Sequence, residues 1–386
     1  MQSIRVINPD FELLTELYGY TSAIISREWH GIGSLDIEIN KNIQGSELLQ
    51  KGNILILGAN IEEPFIIKHR QIKLDQDGKK SEVWSIKAPS LKSILEQRIT
   101  VPPEGLSYDR ITSDAETVIK HYTTNNVITP ADSNRIISLV EVANNQNRGP
   151  SIEWRSRYKN LANELNDISF VTGISWNISL DIQNQKFVLD VREGKDLTAS
   201  QSINPPDGAE PIIISPEFAS VKELEYLESM LDFKNYAYIA GQGEGADRRV
   251  ISQGTATGLE RYEMFVDARD VAETDDDDNP RPEGEIIAEL EARGQRNLEE
   301  FQQETYLNGQ LLMKSPFEYQ KDYNLGDIVT LQNKDWGVTL DARITKIKES
   351  YDVNGMNIEA VFGNDQPDLI SKIKNAFGEL SSEVRK

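Results

Sequence analysis

One β-pattern occurs twice in this chain, near each end, and it constrains the fold more than any other feature. Residues 323–363 read YNLGDIVTLQNKDWGVTLDARITKIKESYDVNGMNIEAVFG. Gly326 and Asp327 turn the chain into a strand, with Ile328 and Thr330 on one face and Val329 and Leu331 on the other. Turn residues fill 333–337, and Val338, Leu340, Ala342, Ile344 and Ile347 supply the next apolar positions. Asn354 and Gly355 form a two-residue hairpin signal, after which Ile358, Ala360 and Phe362 alternate. Residues 49–88 repeat the order. Residues 51–57 (KGNILIL) parallel 325–331 (LGDIVTL), and 65–73 (FIIKHRQIK) parallel 339–347 (TLDARITKI). Asp77 and Gly78 stand where Asn354 and Gly355 stand, and 83–87 (VWSIK) ends its copy as 357–362 ends the other. Strands this short and closely joined close into a small barrel or pack as a sandwich. A duplicated unit predicts two of them.

The chain has 386 residues, enough for several domains. No apolar run approaches the roughly 18 residues of a membrane-spanning helix. Met1 leads directly into the strand-like Ile4, Arg5, Val6 and Ile7, so no signal peptide is expected. There is no cysteine, which removes disulfides, thiolate catalysis and zinc–cysteine sites. The three histidines, His30, His69 and His121, share no metal-binding spacing. A net charge of −22 argues against a nucleic-acid-binding surface, because phosphate contacts need clustered Lys and Arg.

Taken in order, residues 1–97 predict the first β-barrel, closed by a short helix that starts after Ser90. Residues 98–205 change character. Ser113, Asp114, Ala115 and Glu116 start a helix bearing Val118, Ile119 and Tyr122, and 154–170 read as a second amphipathic helix stopped by Gly173. Residues 174–178 and 187–191 form a hairpin. Strand character returns at 212–214, 221–226, 236–240, 248–252 and 260–267, and 285–307 read as one helix. Leu369, Ile370, Ile373 and Phe377 mark an amphipathic tail helix within 366–386. The fold class is therefore α+β and multidomain: two similar small antiparallel β-barrels plus an α+β middle domain.

Candidate chemical sites weigh lightly. Gly241, Gly243 and Gly245 follow a strand, but no helix opens after them and Glu244 repels phosphate, so they read as a hairpin. Asp275, Asp277 and Asn279 have calcium-loop spacing, yet Pro280 replaces the needed Gly and Ile286 the needed Glu. Ser156 with Lys159 and Ser371 with Lys374 match S-x-x-K without its companion motifs. Trp29, His30 and Trp336 read as packing or interface aromatics. No catalytic, cofactor-binding or metal-binding set is expected, and the chain reads as no enzyme.

The order of these pieces resembles the tail-hub family of long-tailed bacteriophages, which is related to baseplate hubs and to the N-terminal region of tail-associated lysins. The resemblance spans nearly the whole chain: strands 34–39 and 52–57, the α+β middle, strand 236–243 ending in glycines, the helix before 307, and 323–329 closing toward Phe362 and Gly363. It implies a structural virion protein of the tail tip, made in the host cytoplasm, forming a homotrimer in which two barrels per chain adapt a six-fold tube to a three-fold tip. It implies contact with distal tail or tube proteins and tape-measure protein, with no membrane and no sequence-specific nucleic acid. It also implies a discontinuous second barrel, 206–235 with 306–365, and a peripheral domain of 98–205 with 236–305. Longer relatives continue into lytic or fibre regions, and 366–386 is expected either to dock a spike or fibre or to cap the ring. The rival readings are a cell-wall hydrolase on a hub scaffold and a carbohydrate-binding receptor protein.

Overall fold

A computed structural model describes residues 2–73, 82–201, 210–218, 220–274, 279–311, 316–352 and 355–363. The first unit contains β1 (Ile4–Ile7), β2 (Leu13–Leu17), β3 (Ser22–Glu28), β4 (Ser34–Asn40), β5 (Ile54–Leu57), β6 (Phe65–Ile66), β7 (His69–Gln71) and β8 (Val83–Pro89). The strict alternation of β4 sends Leu35, Ile37 and Ile39 inward and leaves Asp36 and Glu38 on the other face. These residues, with Ala23, Ile25, Ile86 and Ala88, meet Ile4, Val6, Leu17, Leu55, Leu57 and Phe65 of the sheet β2-β1-β5-β6. Each Val, Leu, Ile or Phe side chain among them contributes roughly 1.5–3 kcal/mol when fully buried.

The middle region contains β9 (Asp109–Asp114), α1 (Ala115–Thr123), β10 (Val140–Val142), β11 (Ser151–Ser156), α2 (Leu161–Thr172), β12 (Ser175–Asp181) and β13 (Lys186–Arg192). The Asp114 carboxylate accepts the Thr117 amide at 2.9 Å and caps α1, whose Val118, Ile119 and Tyr122 are buried. Residues 151–156 are a strand, not the first turns of a helix. They pair antiparallel with β9, and the helix starts only where Asn160 accepts the Asn163 amide. Gly173 ends α2 at φ 75°, a left-handed conformation suited to glycine.

Beyond this lie β14 (Asp196–Leu197), β15 (Ile213–Ile214), β16 (Val221–Ser229), β17 (Tyr236–Ala240), β18 (Val250–Gln253), β19 (Glu263–Asp267), α3 (Glu283–Glu300), β20 (Glu304–Leu311), β21 (Ile328–Asn333), β22 (Val338–Asp352) and β23 (Gly355–Gly363). Residues 285–307 are thus a helix only as far as Glu300. From Glu304 the chain pairs with β16 on one side and β23 on the other, and ladder hydrogen bonds on both edges outweigh helical propensity. The sheet β18-β17-β19 packs Ala237, Ile239 and Val266 beneath Ile286 and Leu290 of α3.

The largest sheet runs β16-β20-β23-β22-β3-β4-β8-β7. It joins the two ends of the chain, because β22 pairs antiparallel with β3. Among the described residues no sheet closes into either of the two expected barrels: the two units share one sheet whose outer strands along this path are β16 and β7, and β21, with β14 and β15 beside it, joins the same sheet through β22. A strand that pairs with its neighbour unit no longer closes its own. The tail segment 366–386, including Ser371 and Lys374, lies outside the described residues.

Candidate functional site: the seam between two repeated units

Local hydrogen bonds fix the repeat. Gly52 (φ 91°) donates to the Ile67 carbonyl at 2.9 Å, and the Ile67 amide donates back to Asn53 at 2.9 Å. Gly326 (φ 94°) donates to the Ile344 carbonyl at 2.8 Å, and the Ile344 amide donates back to Asp327 at 2.8 Å. Ile54 then pairs Ile66, whereas its counterpart Ile328 pairs Arg343. The connection after β21 is therefore the longer of the two. It displaces the sequence alignment of 65–73 with 339–347: the structural partner of Ile67 is Ile344. In each unit the strand that follows then pairs with the last one, β7 with β8 and the distal half of β22 with β23.

Strand order completes the correspondence. The second unit runs β16-β20-β23-β22 and the first runs β3-β4-β8-β7. The two lie head to tail, with the last strand of one beside the first strand of the other.

At that seam the register runs from Lys346 opposite Glu28 to Tyr351 opposite Ala23. Lys346 and Glu28 form an ion pair of 3.1 Å on the solvent face. On the inner face Arg27, only 4 % exposed, donates to Glu349 at 2.8 Å and also to Glu63. The Arg192 guanidinium reaches Glu63 at 2.8 Å, and the Tyr351 hydroxyl donates to Glu349 at 2.8 Å. Burial opposes the charge on Arg27, but Glu63 and Glu349 outweigh it and raise its pKa. Burial likewise opposes ionisation of Glu63, yet Arg27 and Arg192 hold it below its ordinary value. Nearby, burial pushes the Lys92 ammonium down to about 7 while it donates to the Gly31 carbonyl at 2.6 Å over the Trp176 ring.

The residues weighed from sequence fall in separate places. Trp29 is buried, in keeping with a packing aromatic: its indole N–H donates to the Gly173 carbonyl at 3.0 Å and its ring packs against Gly326. His30 meets the Ser169 hydroxyl at 2.8 Å, and burial followed by the charge of Arg343 lowers it to about 3, too low for a base at neutral pH. It lines a groove of about 540 Å³ between α2, α3 and β22 that gathers no nucleophile–base pair. His69 is exposed on β7, and His121 pairs with Asp109 at 2.7 Å. Ser156 bonds the Thr100 hydroxyl, while Lys159 pairs with Glu164, so the two do not meet. Gly241, Gly243 and Gly245 lie between β17 and β18. Asp275 and Asp277 lie outside the described residues, and among the described residues no group of three or more His, Asp or Glu has metal-holding geometry. Trp336 is half exposed after β21. Sequence alone does not reveal the seam, because its partners lie at opposite ends of the chain; Lys346, Glu349, Arg27 and Glu28, charges within otherwise alternating strands, are the signal it leaves.

The fold recurs in solved structures. A tail protein from Neisseria meningitidis MC58 matches at a TM-score of 0.54 and 13% identity, over 94% of this chain and 97% of that one. Prophage tail protein gp18 from Listeria monocytogenes EGD-e matches at 0.52 and 15%, over 98% and 99%. The 43 kDa tail protein of prophage MuSo2 from Shewanella oneidensis matches at 0.52 and 11%, over 93% and 98%. No protein of curated function matches the chain by sequence. Residues 3–364 match one family throughout, and the chain belongs to it: the Siphovirus ReqiPepy6 Gp37-like proteins.

Proposed function

We propose that this protein is a non-enzymatic structural component of a phage tail, and that three copies form a hub ring at the tail tip. The observation that carries the reading is the head-to-tail repeat within one sheet, β16-β20-β23-β22 followed by β3-β4-β8-β7. Two equivalent units per chain give six per trimer, so a ring can meet a six-fold tube above and present three-fold symmetry below. Family membership and three tail proteins of the same fold support it.

The sheet's polar face is then the channel wall, passed by DNA or tape-measure protein. Asp36, Glu38 and Lys87 stand on it in the first unit, and Lys346, Lys348 and Glu359 in the second. Lys348 pairs with Glu359 at 3.1 Å and Lys346 with Glu28 at 3.1 Å, so the wall is of mixed charge and much of it is neutralised in pairs. Such a surface holds no polyanion firmly, because attraction to phosphate needs unpaired cations in clusters. The distal tube protein is the expected partner above, and a spike or fibre meeting 366–386 the partner below. Division into a first ring domain 1–97, a second of 206–235 with 306–365, and a peripheral domain of 98–205 with 236–305 belongs to the same proposal.

Copy number in purified virions tests it. Quantitative mass spectrometry against the tube protein should return three chains per particle, with antibody label at one tail end. Six chains, or label along the tube, would refute the hub.

A further inference from the structure

The internal seam predicts the seam between copies, residue by residue. This step rests on the ring reading above. Matching Ile67 with Ile344 by their shared hydrogen bonds places His69 on Lys346, Arg70 on Ile347 and Lys73 on Ser350. The ladders carry the match onward. His69 pairs Lys87, which pairs Asp36, which pairs Ile24. Lys346 pairs Val361, which pairs Asn308, which pairs Glu225. Ile24 of β3 therefore corresponds to Glu225 of β16, Arg27 to Glu228 and Glu28 to Ser229.

In the internal seam Lys346 faces Glu28, Ile347 faces Arg27 and Ser350 faces Ile24. We propose that β7 of one copy pairs antiparallel with β16 of a second copy in this same register, so that Arg70 faces Glu228, Lys73 faces Glu225 and His69 faces Ser229. Two directly facing pairs that are not ion pairs in the internal seam, Ile347 with Arg27 and Ser350 with Ile24, thus become oppositely charged pairs across the outer one. The free edges are suited to it. β16 offers nine residues with no partner on its outer side among the described residues, and Glu225 and Glu228 are exposed. On the other edge Lys68, His69, Gln71, Ile72 and Lys73 are exposed. Arg70 lies over the Trp84 ring at 3.7 Å, with its Nε buried and without a hydrogen-bond partner. Glu228 accepts from the Gln303 amide at 2.6 Å, which fixes its carboxylate at the edge.

The charges also set direction. Two β7 edges would oppose Lys73 and Arg70 to their like, and two β16 edges would oppose Glu225 and Glu228 to theirs. Like charges opposed across strands are destabilising, so only the heterologous, ring-forming contact is favoured. A long unpaired edge strand is a pairing template, and charge restricts what it accepts.

The absence of cysteine supplies a direct test. The full-length His69→Cys/Ser229→Cys protein, oxidised, should give covalent trimers, while each single variant alone should give none. Mixing the two single variants should give covalent dimers. In parallel, Arg70→Glu, and separately the exposed Lys73→Glu, should weaken association by about tenfold or more, with sensitivity to NaCl. Combining Arg70→Glu with Glu228→Arg should restore it. If the parent forms trimers that neither cross-link at 69 and 229 nor respond to reversal and swap, this seam is wrong and the ring stands. If virions hold a copy number other than three, the ring reading itself fails.

Discussion

Removing Arg27 should separate the two halves of the large sheet. Its guanidinium is 4 % exposed and bridges Glu349, equally buried, and Glu63, at 19%. Arg27→Met keeps the length and apolar stem of the side chain but leaves two carboxylates inside with one fewer cation. Arg192 still reaches Glu63 at 2.8 Å, whereas among the described residues Glu349 retains only the neutral Tyr351 hydroxyl. Stranding a buried charge costs about 3–5 kcal/mol. The control is Lys348→Met. Its partner Glu359 lies at 3.1 Å on the solvent side, both side chains are more than 40% exposed, and such a pair is worth at most about 1 kcal/mol. Urea denaturation followed by tryptophan fluorescence compares the two, since Trp29 sits at the end of this seam with its amide on the Thr345 carbonyl. The pH sign follows from Glu63, whose folded pKa lies below its ordinary 4.5. Its contribution is complete above that value and is lost as pH falls through the folded one. The gap between parent and Arg27→Met should therefore be widest near neutrality and narrow in acid. Equal costs for Arg27→Met and Lys348→Met at pH 7, or a gap that widens in acid, would refute the reasoning.

Three further outcomes are expected. Lys92 has a folded pKa near 7 against 10.5, because burial disfavours its charge; the unfolded chain binds more protons between those values, so stability should rise with pH across that window and Lys92→Met should flatten the slope in pH-resolved melts. Gly52→Ala and Gly326→Ala meet the same left-handed backbone, but a Cβ at Gly52 enters open space while one at Gly326 would lie 2.1 Å from the Trp29 ring; the first should cost about 1 kcal/mol and the second several times more by denaturant midpoint. Glu289, 5% exposed, receives Arg110 at 2.9 Å, Arg281 at 2.8 Å and Arg155; Glu289→Gln should cost about 3 kcal/mol or more and speed proteolysis within 236–300.

Local signals made much of this molecule legible. The alternation of residues 34–39 gave a strand with the correct inward face, and the stretch Ser113 to Glu116 and Gly173 marked true helix ends, because each acts through neighbours in sequence. Gly52 and Gly326 exposed the duplication, because a turn into a strand at positive φ selects glycine in both copies. Errors arose where the deciding partner was distant. The sequence predicts helix at residues 154–156 and 304–307, but each is claimed by a strand from elsewhere, β9 in one case and β16 with β23 in the other.

The same physics explains why two units were recognised and their junction was not. Hydrophobic periodicity reports which face of a strand is buried and is silent about which edge is filled. β3 and β7 read alike as short alternating strands, yet one lies inside the large sheet and the other at its end. Edge identity is carried by charges at few positions: Lys346 and Glu28 where pairing occurs within the chain, Arg70, Lys73, Glu225 and Glu228 where both edges are unpaired among the described residues. Their meaning emerges only once a register sets them opposite one another. The two glycine-anchored turns supply that register, so the feature that revealed the duplication also turns the scattered edge charges into the specific pairing proposed between copies.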